Sequence, residues 1–585
     1  MKNTTVVGIA RRHDLDALRA FAMLLGIALH ASLSFTPDPW IVKDLYKNDL
    51  FGLLNSGIHG FRMQLFMLVS GYFTMMMYRR RGLSSLLRQR FMRVFIPCML
   101  GLLTVMPALS FVVNWSNTLV AKQEAARGPT SGPRSELVEA IKSGDLPELQ
   151  RLLASGADPN QADPELAEQP LGWAALYGNL PATRLLIERG ADINKANRGG
   201  YRPLHSAAFL GKIDVLELLI ERGADVQARG PSGDTAFDST NAPWATTLGI
   251  TGFLRIPLTQ TEEELQTERE QCRQALIRHG GGKTQDFAVA GTEPDLLTNA
   301  RNGYRSFLIS DRFRLPDQFR IFGGDTSQPF YLTLSDVFGH LWFLWFLCWL
   351  VVLFAIVAWL GEGFSFPAIP RSLVLSPARW LWIIPLTMIP QVFMGLFGPT
   401  FGPDTSTGWL PQPHVLLYYA VFFAFGALYY DADDTEGQLG RWYWIQLPVA
   451  LLVLFPVGLV AMLMGQSLVS GLAQVLYAWS MSIGLIGLLG RFLKHENWTI
   501  RYLSDSAYFL YLAHLPLVVA LQAYVRVWNQ PAVLKFSLIC VFTTIFLLFI
   551  YQTLVRYTLI GSLLNGPRTH RLAVTPDTMS SIQAS

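Results

Sequence analysis

Apolar runs of about 20 residues, the length that crosses a bilayer core, recur on both sides of a polar middle. They lie near 17–36, 57–78, 91–114, 336–360, 380–398, 414–430, 443–464, 468–490, 506–525 and 533–556. Backbone in lipid must satisfy its own hydrogen bonds, so runs this apolar predict helices. The expected fold is mainly α: a polytopic transmembrane bundle of about ten helices, interrupted by a polar segment at about 120–330. No cleavage site of small residues follows the first run, which therefore reads as a retained span and not a signal peptide.

The polar middle is periodic. The phrases RLLASGADPN, RLLIERGADIN and ELLIERGADVQ set Gly156, Gly190 and Gly223 about 33 residues apart. QPLGWAALYGN and RPLHSAAFLGK, around Pro170 and Pro203, precede two of them. A fourth unit opens at GDTAFDST, is interrupted at roughly 240–262, and resumes as CRQALIRHGG. Over about 135–282 the chain resembles the ankyrin repeat family, an α-solenoid. Each unit is a helix pair that cannot bury its apolar face alone, so several must stack. The glycines end helices where left-handed backbone is needed. His205, in PLHSAA, matches the helix-start histidine of that family, which implies a structural role. The expected map is a membrane part at 1–119 with three spans, an insertion at 120–330, a membrane part at 331–560 with seven spans, and a tail at 561–585.

Charge sets the expected orientation. Arg79, Arg80, Arg81, Arg88, Arg90 and Arg93 crowd the loop between the second and third spans, and short basic loops stay in the cytoplasm. Both termini then lie inside, in agreement with Arg11, Arg12, Arg568 and Arg571. The loop GPTFGPDTSTGWLPQP, without Lys or Arg, falls outside. Lys43 and Lys47 in the first outer loop run against the rule. The same count places the long middle segment, about 120–330, outside the cytoplasm, since long domains translocate with little regard to charge.

Composition adds little beyond this. Of the 585 residues only 15% are charged and 51% are hydrophobic, which fits a chain partly solvated by membrane lipid. A net charge of +4 implies no nucleic-acid partner. Cys98, Cys272, Cys348 and Cys540 are scattered, and three sit in apolar runs, so neither a metal site nor a disulfide framework is expected.

Ionisable residues within spans are costly and normally face a cavity or partner. The first span carries Asp16, Arg19 and His30. Arg19 and His30 are eleven positions apart, which on a helix sets them on nearly one side, roughly 16 Å apart along the axis. The bland alternative is a histidine that only bonds a neighbouring helix. The second span contributes His59 and Arg62 at its outer end. Arg90 and Arg93, three apart, suit a phosphate-bearing ligand at the cytoplasmic rim, or plain positive-inside anchoring.

An arginine, ten residues and a histidine in the first span, followed by R-x-x-R entering the third, resembles the acyltransferase-3 family. HGFRMQLFMLVSGYF, GHLWFLWFL and SDSAYFLYLAHLPL resemble more narrowly its glucan biosynthesis protein C branch. The resemblance implies transfer of an acyl group, succinyl or acetyl, from a cytoplasmic donor such as acyl-coenzyme A to hydroxyls of a periplasmic glucan or other envelope glycan, with no bound cofactor. Arg19, His30, Arg90 and Arg93 match the family's functional motifs. His340 and His514 match branch phrases, and the resemblance implies that they, with His59 and Arg62, contact the acceptor or the oxyanion. Leu515 stands where some relatives have a second histidine, and the ankyrin insert is foreign to the branch. Acyl transfer to a hydroxyl needs a base, a role suited to the His30 imidazole. Arg19 with Arg90 and Arg93 would hold the donor, while Arg62 or His59 would face the oxyanion. The ankyrin surface would bind a protein partner or position the acceptor. Two other readings are a transporter or exporter, and an ankyrin binding module on an inactive membrane anchor.

Overall fold

The computed structural model describes residues 12–565 apart from 37–39, 128–135, 164–167, 198, 283–295, 317–329, 364–368, 399, 494–496 and several positions between 231 and 255. Arg11, Arg568, Arg571 and the tail beyond 565 lie outside the described residues. The chain divides into two compact units. One comprises the described residues within Met1–Glu124, Tyr304–Phe322 and Phe330–Ser585, the other those within Ala125–Gly303.

The first unit is helical, with a two-residue antiparallel ladder of Arg314–Leu315 on Phe330–Tyr331. Its principal helices are α1 (His13–Ser32), α2 (Leu50–His59), α3 (Arg62–Arg90), α4 (Ile96–Arg127), α5 (Trp342–Gly363), α6 (Trp380–Gln391), α7 (Pro413–Asp431), α8 (Tyr443–Leu463), α9 (Ser467–Phe492), α10 (Trp498–Val525) and α11 (Ala532–Val555). Eight continuous helical stretches among the described residues are long and apolar enough to cross a membrane. One of these, Leu50–Gln123, contains both the second and third expected spans, with a break at Gly82, where φ is 74°. The expected span at 380–398 is realised only as α6, whose 12 residues include Pro385 and Pro390. At 1.5 Å per residue α6 is about 18 Å long, short of a bilayer core. Its prolines each remove a backbone donor, and the chain turns out of the helix after the second.

Lipid tails give no hydrophobic drive for helices to associate, so close backbone approach must supply the packing. Gly71 on α3 and Gly426 on α7 do this. A Cβ at Gly71 would lie 1.9 Å from the Phe423 carbonyl oxygen, and one at Gly426 would lie 1.9 Å from that of Leu68. Around this crossing sits a core rich in aromatic rings, in which Phe422 stacks on Trp479 at 4.0 Å.

The second unit has its own core and the expected helix pairs. Pro170–Tyr177 precedes Leu180–Glu188, and Pro203–Phe209 precedes Ile213–Glu221. Gly156, Gly190 and Gly223 all take positive φ, as the period implied. His205 is buried and accepts the Arg202 N–H through Nδ1 at the start of its helix. In the fourth unit the first helix shrinks to Ala236–Ser239 and the second lengthens to Glu262–Arg278. Arg269, fully buried on the second helix, ties it to the interruption and to the preceding repeat: it donates to the carbonyls of Phe209 and Ala242 and to Thr247 Oγ1.

Candidate functional site

α1 and α10 run parallel, so that Arg19 lies beside Ser504 and His30 beside His514. At one end, Arg19 Nη2 donates to the Ser504 hydroxyl at 2.7 Å and to its carbonyl at 3.2 Å, with Asp16 at 3.6 Å. Arg90 donates to Thr74 Oγ1 at 2.8 Å, and its Nε is sealed from solvent with no partner among the described residues. Arg19 and Arg93 are both near enough for Arg90 to feel their charge. Helical spacing set Arg90 and Arg93 on one face. The structure instead opens a π turn at Phe91–Phe95, with Arg90 as its leading cap and Arg93 inside it. Arg90 is turned toward Thr74, and both arginines are partly exposed. Single π turns recur at functional sites, and no local pattern in RQRFMR announces one.

At the other end three histidines gather. His30 Nδ1 is 2.8 Å from His514 Nε2, and the His340 ring meets that of His514 edge-on at 5.7 Å between centroids. Pro516 explains part of this. Having no N–H, it leaves the carbonyl of Leu512, four residues back, without its helical donor. His340 Nε2 donates to that carbonyl at 3.2 Å, and the Tyr511 hydroxyl donates to the His340 carbonyl in return. His340 Nδ1 is buried without a partner among the described residues.

Arg62 comes to the same end from α3. Its Nη1 occupies the space above Gly26, one turn before His30, where a Cβ would lie 2.3 Å away. The guanidinium is within electrostatic range of His30 and His514, its Nε is buried without a partner, and no carboxylate pairs with it among the described residues. His59, on α2, is turned elsewhere: its Nε2 donates to the Pro403 carbonyl at 2.9 Å.

Several groups around the site escaped sequence reasoning. Trp40 lies nearly parallel to the His30 ring at 6.0 Å and donates to Gln522 Oε1, while the Gln522 amide donates to the His30 carbonyl. Lys43 donates to the carbonyls of Leu33 and Thr36 just past the end of α1, so this charge against the positive-inside rule is taken up by orphan carbonyls. Asp44 and Lys535, both with no exposed side-chain surface, pair at 3.0 Å and fasten the loop to α11. A lysine inside the last apolar run was the available signal for this pair.

Comparison with known proteins bears on what this arrangement belongs to. The family model described as "Acyltransferase domain" matches residues 12–132 and 293–552, and the one for ankyrin repeats, in three copies, matches 137–230. Proteins named "Glucans biosynthesis protein C" from Escherichia coli strains SMS-3-5 / SECEC and K12 are each 40% identical over 100 residues, 17% of this chain and 25% of theirs. The matched stretch thus spans a quarter of those relatives' own length. The acyltransferase match covers well over half of the chain and stops on either side of the repeats, so this multi-pass membrane chain belongs to the acyltransferase domain family, with ankyrin repeats inserted between α4 and α5.

Proposed function

We propose that the membrane unit moves an acyl group from a cytoplasmic acyl-coenzyme A to a hydroxyl of a periplasmic glucan or another envelope glycan. The observation that carries this reading is His30, which lies on the helix that bears Arg19, meets His514 through Nδ1, and stands at the same end as Arg62 of α3, an arginine with no carboxylate partner among the described residues. His30 Nε2 takes the proton of the acceptor hydroxyl as its oxygen attacks the thioester carbonyl carbon. Arg62 is the cation available to the oxyanion that forms. When the tetrahedral adduct collapses, the C–S bond breaks and the thiolate receives the proton from His30, giving the O-acyl ester and free thiol. Arg19, Arg90 and Arg93 hold the phosphates of the donor, a task for which planar guanidinium forks are suited.

The basic loop then lies in the cytoplasm, and the His30 end and the repeats lie outside it in a bacterial inner membrane. The repeats bind a protein partner or hold the acceptor near the site, as solenoid surfaces commonly do. The test is His30→Ala, with the glycans of cells that carry it analysed by mass spectrometry. Acylation should vanish while the protein stays in the membrane. Glycans acylated as in the parent cells would refute the assignment.

A further inference from the structure

The environment of His514 differs from that of a substrate contact. Its Nδ1 lies 2.8 Å from the Tyr511 carbonyl and 3.1 Å from that of Leu510. A carbonyl can only accept, so Nδ1 carries the proton. In a neutral imidazole the other nitrogen is then an acceptor, and Nε2 of His514 faces His30 Nδ1 at 2.8 Å. His30 must therefore donate through Nδ1, which leaves its lone pair on Nε2. Which ring nitrogen of a histidine is protonated is set by the bond the other one makes.

The surroundings hold this chain of donors in place. The Gln522 amide donates to the carbonyls of His30 and Ala31, at 2.9 and 3.3 Å, fixing the end of α1 against α10. His514 is 2% exposed and has the His340 ring packed edge-on against it. His340 directs its own Nε2 at the Leu512 carbonyl, so it does not compete for either nitrogen of His514. A carboxylate in the place of His514 would orient His30 as well, but would bring a negative charge into an apolar setting. A neutral imidazole orients without adding charge.

We propose that His514 is a positioning residue that locks His30 in its Nδ1–H tautomer and so keeps Nε2 available as the base. This rests on the acyl-transfer reading above. It also removes His514 from the groups that touch acceptor or oxyanion, since both its nitrogens are engaged within the protein.

The test uses the full chain in liposomes, with His514→Leu, which has no acceptor, and His514→Gln, whose Oε1 can stand where Nε2 stood. Donor-dependent acyl transfer gives kcat and KM. Solid-state NMR of protein labelled with 15N-histidine, with His30→Asn used to assign the signal, gives the tautomer. Wild type should show His30 protonated at Nδ1. His514→Leu should lose that signal and about 100-fold or more in kcat, with KM for the donor unchanged. His514→Gln should keep the signal and remain within about tenfold of wild type. A wild-type His30 protonated at Nε2 would overturn the proposal without any variant, even if His514→Leu fails to fold. So would full turnover in a folded His514→Leu, or equal losses in both variants with the tautomer unchanged. An active His30→Ala would instead overturn the underlying reading, whatever the His514 variants do.

Discussion

Gly26→Ala tests the seat of Arg62 without touching any residue with a proposed role. A Cβ there would lie 2.3 Å from Arg62 Nη1, and an ordinary contact begins at 3.4 Å, so the guanidinium must retreat by about 1 Å. The colliding atom is the far end of a flexible side chain, and the next nearest, Arg62 Cζ, is already 3.6 Å away. The helix should therefore stay in place while the cation moves. Alanine for glycine inside a helix is worth about 0.5–1 kcal/mol of added stability. A misplacement of ~1 Å at a reacting centre can cost about 100-fold in rate, near 2.7 kcal/mol of barrier. The expected variant is as stable as wild type, or more so, and far slower.

The assay is release of free thiol from acyl-coenzyme A by reconstituted protein given a glucan acceptor, alongside thermal unfolding followed by tryptophan fluorescence. Gly52→Ala, a helical glycine with open space around it, serves as the control and should leave turnover unchanged. In an Arg62→Ala background Gly26→Ala should cost nothing further, because both act through one cation. Wild-type turnover in Gly26→Ala, or an undiminished loss in the Arg62→Ala background, would refute the reasoning.

Three further outcomes follow from the same structure. Asp44→Asn strands Lys535 in a site with no exposed surface and should cost about 3–5 kcal/mol of stability, read from unfolding in detergent; an unchanged midpoint counts against the ion pair. Glu168, 4% exposed in the repeat unit, has its carboxyl raised to about 7, first by burial and then by nearby Asp163, against the opposing bonds from Asn197 and the Gln169 N–H. Because the folded state holds that proton more tightly than the unfolded chain, the repeat segment expressed alone should be most stable below about pH 4.5 and lose of order 2–3 kcal/mol as pH rises to about 7. Glu168→Gln should flatten that slope, and an unaltered slope in denaturant titrations would exclude Glu168 as its source. Reporters active only outside the cytoplasm should work when fused near Gly230 and fail near Gly82, and the reverse pattern would invert the assigned orientation.

What the sequence made legible follows physical range. Span lengths, the period of about 33 residues and the Arg19-to-His30 spacing are all written locally, and each has its counterpart in the structure. The short α6 could have been anticipated from Pro385 and Pro390, which the count of apolar residues ignored. The pairing of His30 with His514 spans 484 positions and leaves no local mark. The phrase AHLP bears only on His340, since the proline two residues after His514 frees the Leu512 carbonyl to which His340 donates. The π turn after Arg90 likewise has no proline or glycine within Phe91–Phe95 to announce it.

The arginines of the membrane unit separate structure from ligand chemistry by what they bond. Arg379 donates to the carbonyls of Leu375, Ser376 and Leu439, Arg526 to that of Lys43, and Arg12 and Arg79 each grip an aspartate. Each of these cations has a carboxylate or backbone carbonyls of the protein itself to bond, although Arg379 Nε is buried without a partner among the described residues. Arg62 and Arg90 break that pattern, the first without a carboxylate and the second with one threonine hydroxyl. A guanidinium left this way gains little stability from the fold, and a buried polar group without a partner calls for an explanation. These two stand near opposite ends of the α1–α10 pair, Arg90 with Arg19 and Arg62 with His30, on helices supplied by segments before and after the repeats. An anionic donor reaching from one to the other would satisfy both, and would place its thioester beside the His30 imidazole.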